Sequence, residues 1–167
     1  LVEVPPQLTR KPRTPRNLND RLKGTRVLVL EDDRAVLDST VHLLTRWGCL
    51  VRATTFSGQT PATAEIDFVL CDQDLSGELS GIDVVRSLRH NAGSRIGAAI
   101  VTGGRLDHLI ESCRAENIAL LNKPVRPSQL RSALISGLTS QASPSSEAIP
   151  AAAERVETLS ALSNPDT

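Results

Sequence analysis

Four clusters of polar residues stand at the ends of short apolar runs in this chain, and their types suit chemistry at phosphorus. Glu31, Asp32 and Asp33 follow Val27–Leu30. Asp72, Gln73 and Asp74 follow the run ending at Cys71, Thr102-Gly103-Gly104 follow the run ending at Val101, and Lys123-Pro124 follow the run ending at Leu121. Wholly apolar runs of four to six residues read as strands covered on both faces. In a parallel sheet, ligands bind outside the carboxyl ends of the strands, so every one of these groups would lie on one edge. If the first and third runs are neighbours, about 4.8 Å apart, their carboxylates converge within reach of one cation. Carboxylates that close repel one another unless a positive charge sits between them. A small hard ion such as Mg²⁺ answers that need through oxygen ligands. Lys123 adds a fixed positive charge and Thr102 a hydroxyl donor. Carboxylate nucleophile, Mg²⁺, lysine and hydroxyl are together the parts that stabilise an in-line phosphoryl transfer. Taken singly, each cluster has a plainer reading: a helix cap, a solvated turn, a glycine loop, a Lys-Pro step. Four of them at successive strand ends in one register carry the argument.

The elements that must position these groups alternate in period. Strands are predicted at Val27–Leu30, Cys49–Thr54, Ile66–Cys71, Ile96–Val101 and Ile118–Leu121. Asp33 can cap a helix whose stripe carries Val36, Leu37, Thr40, Val41, Leu43, Leu44 and Trp47 and which Gly48 closes. Further stripes are Ile82, Val85, Leu88; Leu106, Leu109, Ile110, Cys113; and Leu130, Leu134, Leu138 behind Pro127 at a helix start. Thr55–Ala64, broken by Gly58 and Pro61, is expected to form one or two helical turns. Five strand–helix alternations predict an α/β fold, a doubly wound five-stranded parallel sheet.

Composition narrows the classes. With 167 residues, 40% hydrophobic and 19 basic against 19 acidic, the chain suits one domain with flanking sequence. Zero net charge argues against nucleic-acid binding through a broad basic field, and three aromatics are too few for base stacking. No apolar run approaches the roughly 20 residues of a membrane span. Cys49, Cys71 and Cys113 lack CxxC spacing, which disfavours disulfides or zinc and favours a reducing, cytoplasmic compartment. Residues 1–24 read as a basic, proline-rich linker, 25–138 as the folded unit, and 139–167 as a disordered Ser/Ala/Pro-rich tail. A short helix around Ala151–Leu162 fits within that tail. His42, His90 and His108 are scattered on expected helices and read as structural, as does Cys71 within its strand.

The segments VLVLEDD (27–33), DFVLCDQDLSGELSGIDVVRSLR (67–89), AAIVTGG (98–104) and LLNKPV (120–125) resemble the receiver (response-regulator) domain of two-component phosphorelays. That resemblance implies a flavodoxin-like sheet of order 2-1-3-4-5. It also implies Asp72 as the phosphoacceptor that takes a phosphoryl group from a phosphohistidine. Asp32 and Glu31 become Mg²⁺ ligands, the latter through water, with Asp74 contributing its main-chain carbonyl. Thr102 becomes the hydroxyl that turns towards the phosphoryl oxygens, and Lys123 the phosphate-pairing lysine, with Pro124 following through a cis bond. The implied partners are a histidine kinase domain or a histidine phosphotransfer protein. One departure stands out: Leu120 occupies the position where receivers often carry a Tyr or Phe that moves with the threonine.

No methionine occurs, even at position 1, so the chain is expected to be a piece of a longer polypeptide, its membrane anchor, if any, lying elsewhere. Leu1–Pro5 resembles the closing strand of a histidine-kinase ATPase domain, and a basic linker followed by a receiver is the layout of hybrid sensor histidine kinases. Two rival functions use the same residues. A haloacid-dehalogenase-type phosphatase would use Asp72 and Asp74 as its DxD pair, but leaves residues 31–33 without a role. A receiver used only as an interaction module would not need them at all.

Overall fold

The computed structural model describes residues 18–55, 65–76, 78–92, 96–104 and 107–141. The basic segment up to residue 17, most of Thr55–Ala64 and the tail from residue 142 lie outside the described residues, as do the expectations placed on them. The order is β1 (Arg26–Leu30), α1 (Arg34–Arg46), β2 (Leu50–Thr54), β3 (Phe68–Asp72), α2 (Gly81–Ala92), β4 (Gly97–Thr102), α3 (Asp107–Ala115), β5 (Ala119–Asn122) and α4 (Pro127–Gln141), preceded by a 3-10 turn at Leu18–Arg21. All strand pairings are parallel, and the sheet runs β2-β1-β3-β4-β5. The predicted doubly wound fold and its order are borne out.

Two apolar layers sandwich the sheet, as the period of two along a strand requires. In β1, Leu28 and Leu30 join Val69, Cys71, Val85 and Leu88 beneath α2 and α3. Val27 and Val29 turn the other way, to Phe68, Leu37, Leu44 and Leu134 beneath α1 and α4. Strands β1, β3 and β4 are buried almost throughout, whereas the edge strand β2 is mostly exposed. Asp33 caps α1 by accepting the N–H groups of Ala35 (2.9 Å) and Val36 (3.1 Å). Gly48, at φ +85°, closes that helix in the left-handed region.

Two expectations shift. Asp72 and Thr102 are the last residues of β3 and β4 rather than the first beyond them, because ladder pairing continues through both. The expected stripes of α1 and α3 are wider than the buried faces, since Val36 and Ile110 are 40% and 43% exposed. Leu22, ahead of β1, is fully buried beside Trp47 and Cys49, and its carbonyl accepts Thr25 N–H at 3.0 Å.

Candidate functional site

Strand register assembles the site. Leu30 of β1 lies opposite Cys71 of β3, so the next residues, Glu31 and Asp72, stand side by side at the carboxyl edge. Asp72 pairs with Val101, and Thr102 with Asn122, which places Lys123 just past the end of β5. Lys123 N–H donates to the Thr102 carbonyl at 2.8 Å and fixes where its side chain starts. The Lys123–Pro124 peptide is cis. The strand order reverses between β1 and β3, and a doubly wound sheet opens its binding crevice at such a switch point.

At that point Lys123 Nζ lies 2.6 Å from Asp72 Oδ2 and 3.2 Å from Glu31 Oε2. Both carboxylates are buried, each side chain only 7% exposed. Their other oxygens take main-chain donors: Asp74 N–H reaches Asp72 Oδ1 at 3.2 Å, and Asp33 N–H reaches Glu31 Oε1 at 3.1 Å. Asp32 accepts at Oδ2 from the main-chain N–H of Ser76, in the loop after β3. Thr102 is buried, and its hydroxyl oxygen accepts Gly104 N–H at 3.1 Å. The Asp74 side chain is exposed.

Charge follows from this packing. Burial drives the Glu31 carboxyl above its ordinary range, and the nearby Asp72 adds to that rise, while Asp33 N–H and Lys123 oppose it. Burial opposes the Lys123 ammonium, yet its bonds to Asp72 and Glu31 outweigh that and raise it overall. Burial pushes the Cys71 thiol far up, which suits the structural role expected for it. His42, His90 and His108 are exposed on helices. A groove of about 660 Å³ adjoins the carboxylates; α1 lines it with Ala35, Val36 and Leu43, and Val125 and Leu130 close its far side.

Glu31, Asp72, Thr102 and Lys123 thus come to one edge, as their positions at strand ends predicted, and Asp32 sits in the loop beside them. The donor set is all oxygen, and two of its buried carboxylates already share one cation, the Lys123 ammonium. That chemistry fits a hard divalent ion. The side chains are not arranged as a finished cage: among the described residues, no three His, Cys, Asp or Glu side chains group around a metal position.

One neighbour escaped sequence reasoning, and another was noted there without a role. Gly81 opens α2 against the backbone of Asp72, where an added Cβ would stand 2.2 Å from the carbonyl oxygen. Gln73 clamps the same corner: its carbonyl accepts Gly81 N–H at 3.1 Å, and its Oε1 accepts Ile82 N–H at 3.3 Å. A glycine at a helix start carries no local signal of what packs on it.

Among curated proteins, none matches the chain. Among solved structures, a response regulator receiver domain protein from Clostridium thermocellum is similar at 26% identity, covering 71% of this chain and 97% of its own, with a TM-score of 0.63. A response regulator receiver protein from Sinorhizobium medicae shares the fold at 23% identity, 72% and 98% coverage and a TM-score of 0.61. A sensor protein from Polaromonas does so at 19% identity, 70% and 98% coverage and a TM-score of 0.61. The family model of the response regulator receiver domain matches residues 27–135, both the sheet and the strand-end acids and lysine, and the chain belongs to that family.

Proposed function

We propose that the chain is the phosphoacceptor of a phosphorelay, with Asp72 receiving a phosphoryl group from a phosphohistidine on a histidine kinase domain or a histidine phosphotransfer protein. One Asp72 carboxylate oxygen attacks phosphorus, the P–N bond breaks, the electron pair and then a proton go to the leaving imidazole, and an aspartyl phosphate remains. Glu31, Asp32, Asp72 and the main-chain carbonyl of Asp74 would hold Mg²⁺, which when bound neutralises charge on the phosphoryl oxygens. Lys123 pairs with Asp72 at rest and offers its ammonium to the new phosphoryl group; the Thr102 hydroxyl donates to another of its oxygens. The added charge of about −1.5 to −2 draws the β4–α3 and β5–α4 loops inward and switches the domain's conformation. With Leu120 half-buried where an aromatic switch often stands, the usual aromatic readout is missing or muted.

The observation that carries this reading is the part-buried Lys123–Asp72 contact at 2.6 Å with Glu31 on the same ammonium. It gives the acids and the lysine a joint task that a pure interaction module lacks. The exposed Asp74 side chain speaks against an Asp72/Asp74 phosphatase, which needs both carboxylates on the reacting group. The same reading fits a cytoplasmic signalling element, such as a receiver within a hybrid sensor histidine kinase. Among the described residues no helix is long and apolar enough to cross a membrane.

Incubation with acetyl phosphate and MgCl₂ tests the assignment by intact mass. Wild type is expected to take one phosphoryl group, Asp72→Asn and Asp72→Ala none. Asp32→Ala should lose most labelling and its Mg²⁺ dependence, and Lys123→Ala should label slowly without the conformational change. Labelling of Asp72→Asn at the wild-type level refutes the acceptor, and sustained turnover of p-nitrophenyl phosphate favours the phosphatase.

A further inference from the structure

The first two amides of α2 are satisfied from another element. Ser80, whose carbonyl accepts Val84 N–H at 3.1 Å and which so stands at the helix cap, turns its hydroxyl to Asp83 Oδ2 at 2.5 Å. Gly81 N–H goes instead to the Gln73 carbonyl at 3.1 Å, and Ile82 N–H to Gln73 Oε1 at 3.3 Å. Gln73 is itself tied to β4, its N–H donating to the Val101 carbonyl at 2.8 Å. Resting on the phosphoacceptor reading above, we infer that Gln73 is a positioning residue for phosphoryl acceptance: by capping α2 from the end of β3, it sets the orientation of the Asp72 carboxylate.

The link is one peptide unit. The C=O of Gln73 and the N–H of Asp74 belong to the same planar group, so the direction of one fixes the direction of the other. The C=O accepts Gly81 N–H, while the N–H donates to Asp72 Oδ1 at 3.2 Å. Whatever holds Gly81 in place therefore aims that donor at Asp72. Orphan amides at a helix start need acceptors, and a side chain that supplies one steadies the first turn. Gln73 supplies it through Oε1, on the Ile82 amide nine residues away. The Asp72 carboxylate is then held at both oxygens, by Asp74 N–H at Oδ1 and by Lys123 Nζ, 2.6 Å away, at Oδ2. Bonds to an ionised carboxylate are strong and directional, so this pair fixes which way the attacking oxygen faces. A side chain of similar length without a strong acceptor would fill the same space and leave the Ile82 amide unbonded.

The test measures labelling of the full chain by acetyl phosphate with MgCl₂. Gln73→Met keeps the bulk and drops the amide oxygen. It is expected to lower the maximal labelling rate about three- to tenfold while the half-saturating acetyl phosphate concentration stays within about twofold of wild type. Gln73→Glu keeps an acceptor at the same reach and is expected to hold the maximal rate within about twofold of wild type. Leu22→Ala, which truncates a fully buried side chain at the amino end of β1, is expected to label at the wild-type maximal rate below its melting range. In wild type the Ile82 amide should exchange slowly for a first-turn N–H, a measurement that stands should the methionine variant fail to fold. Four results overturn the inference: a wild-type maximal rate in Gln73→Met, a Gln73→Glu protein as slow as Gln73→Met, equal slowing by Leu22→Ala, or an unprotected Ile82 amide in wild type. A wild type that takes no phosphoryl group overturns the phosphoacceptor reading and the positioning role with it, whatever the Ile82 amide does.

Discussion

Gly81→Ala should damage stability and phosphoryl acceptance together, because the same atoms serve both. The new methyl carbon would stand 2.2 Å from the Asp72 carbonyl oxygen, and 2.9 Å from both the Asp72 carbonyl carbon and Gln73 Cα. All three are backbone atoms at a strand end, so no side chain can rotate out of the way. A carbon–oxygen contact needs about 3.3 Å, so roughly 1 Å must open between α2 and β3. Overpacking of this kind costs about 1–3 kcal/mol. Weakening of Gly81 N–H to the Gln73 carbonyl, 3.1 Å long, adds about 1 kcal/mol. Alanine's better helix propensity returns about 0.5–1 kcal/mol, leaving a net loss of about 1–3.5 kcal/mol in urea unfolding. Displacing the Asp72 backbone by that distance misaligns its carboxylate with Lys123, and a misplacement of about 1 Å can cost about 100-fold in rate. Acetyl phosphate labelling should therefore slow by at least about tenfold. Gly104→Ala is the control: among the described residues its added carbon meets only Thr102 Oγ1, at an ordinary 3.6 Å, and the variant should label and unfold much as wild type does. If Gly81→Ala and Gly104→Ala prove indistinguishable in both assays, the steric account of the Asp72 corner is wrong.

Two further outcomes probe the frame around the site. Leu22→Ala should destabilise the fold by about 2–4 kcal/mol, as truncation of a fully buried leucine does, while Leu50→Ala at a 62% exposed edge-strand position should stay within about 0.5 kcal/mol. Equal urea midpoints for the two variants would remove Leu22 from the core. At the opposite end of the sheet, hydrogen bonds from the Arg26 side chain and main chain hold the Asp67 carboxyl below its ordinary value. A depressed acid stabilises the fold above its unfolded pKa, about 3.9, and loses that contribution as pH falls through the folded value. The urea midpoint of wild type should thus exceed that of Asp67→Asn at pH 7, with the two converging only in strong acid; a constant gap across pH would contradict the pairing.

What the sequence made legible was whatever local pattern encodes. The run 27–30 stops being apolar where β1 ends and the run 96–101 one residue before the end of β4, so local pattern alone puts the acids, Thr102 and Lys123 at a common edge. The cap at Asp33 and the stop at Gly48 were equally local. The contacts of Ser76 with Asp32, of Gly81 with Asp72 and of Leu22 with Trp47 were not legible. Each joins residues whose own neighbourhoods would look the same without the partner. The stripes of α1 and α3 were read too wide for a related reason: Val36 and Ile110 lie at the margin of their faces, and periodicity does not say where the covering layer ends.

The same distinction bears on why the site is built against its own stability. Two buried carboxylates share one ammonium at 2.6 and 3.2 Å, so the described cluster carries an excess of negative charge in a place that burial makes unfavourable for it. Burial first, and the nearby Asp72 after it, push Glu31 above its ordinary range. A core selected only for folding would replace one acid by an apolar or amide side chain and keep the sheet unchanged. Departures from consistent packing of this sort concentrate where a protein must bind or react. Under the phosphoacceptor reading proposed above, the surplus anion leaves room for a further cation and then for a phosphoryl group, and Lys123 alone satisfies neither. The arrangement is costly as architecture and sensible as a receptor for positive charge.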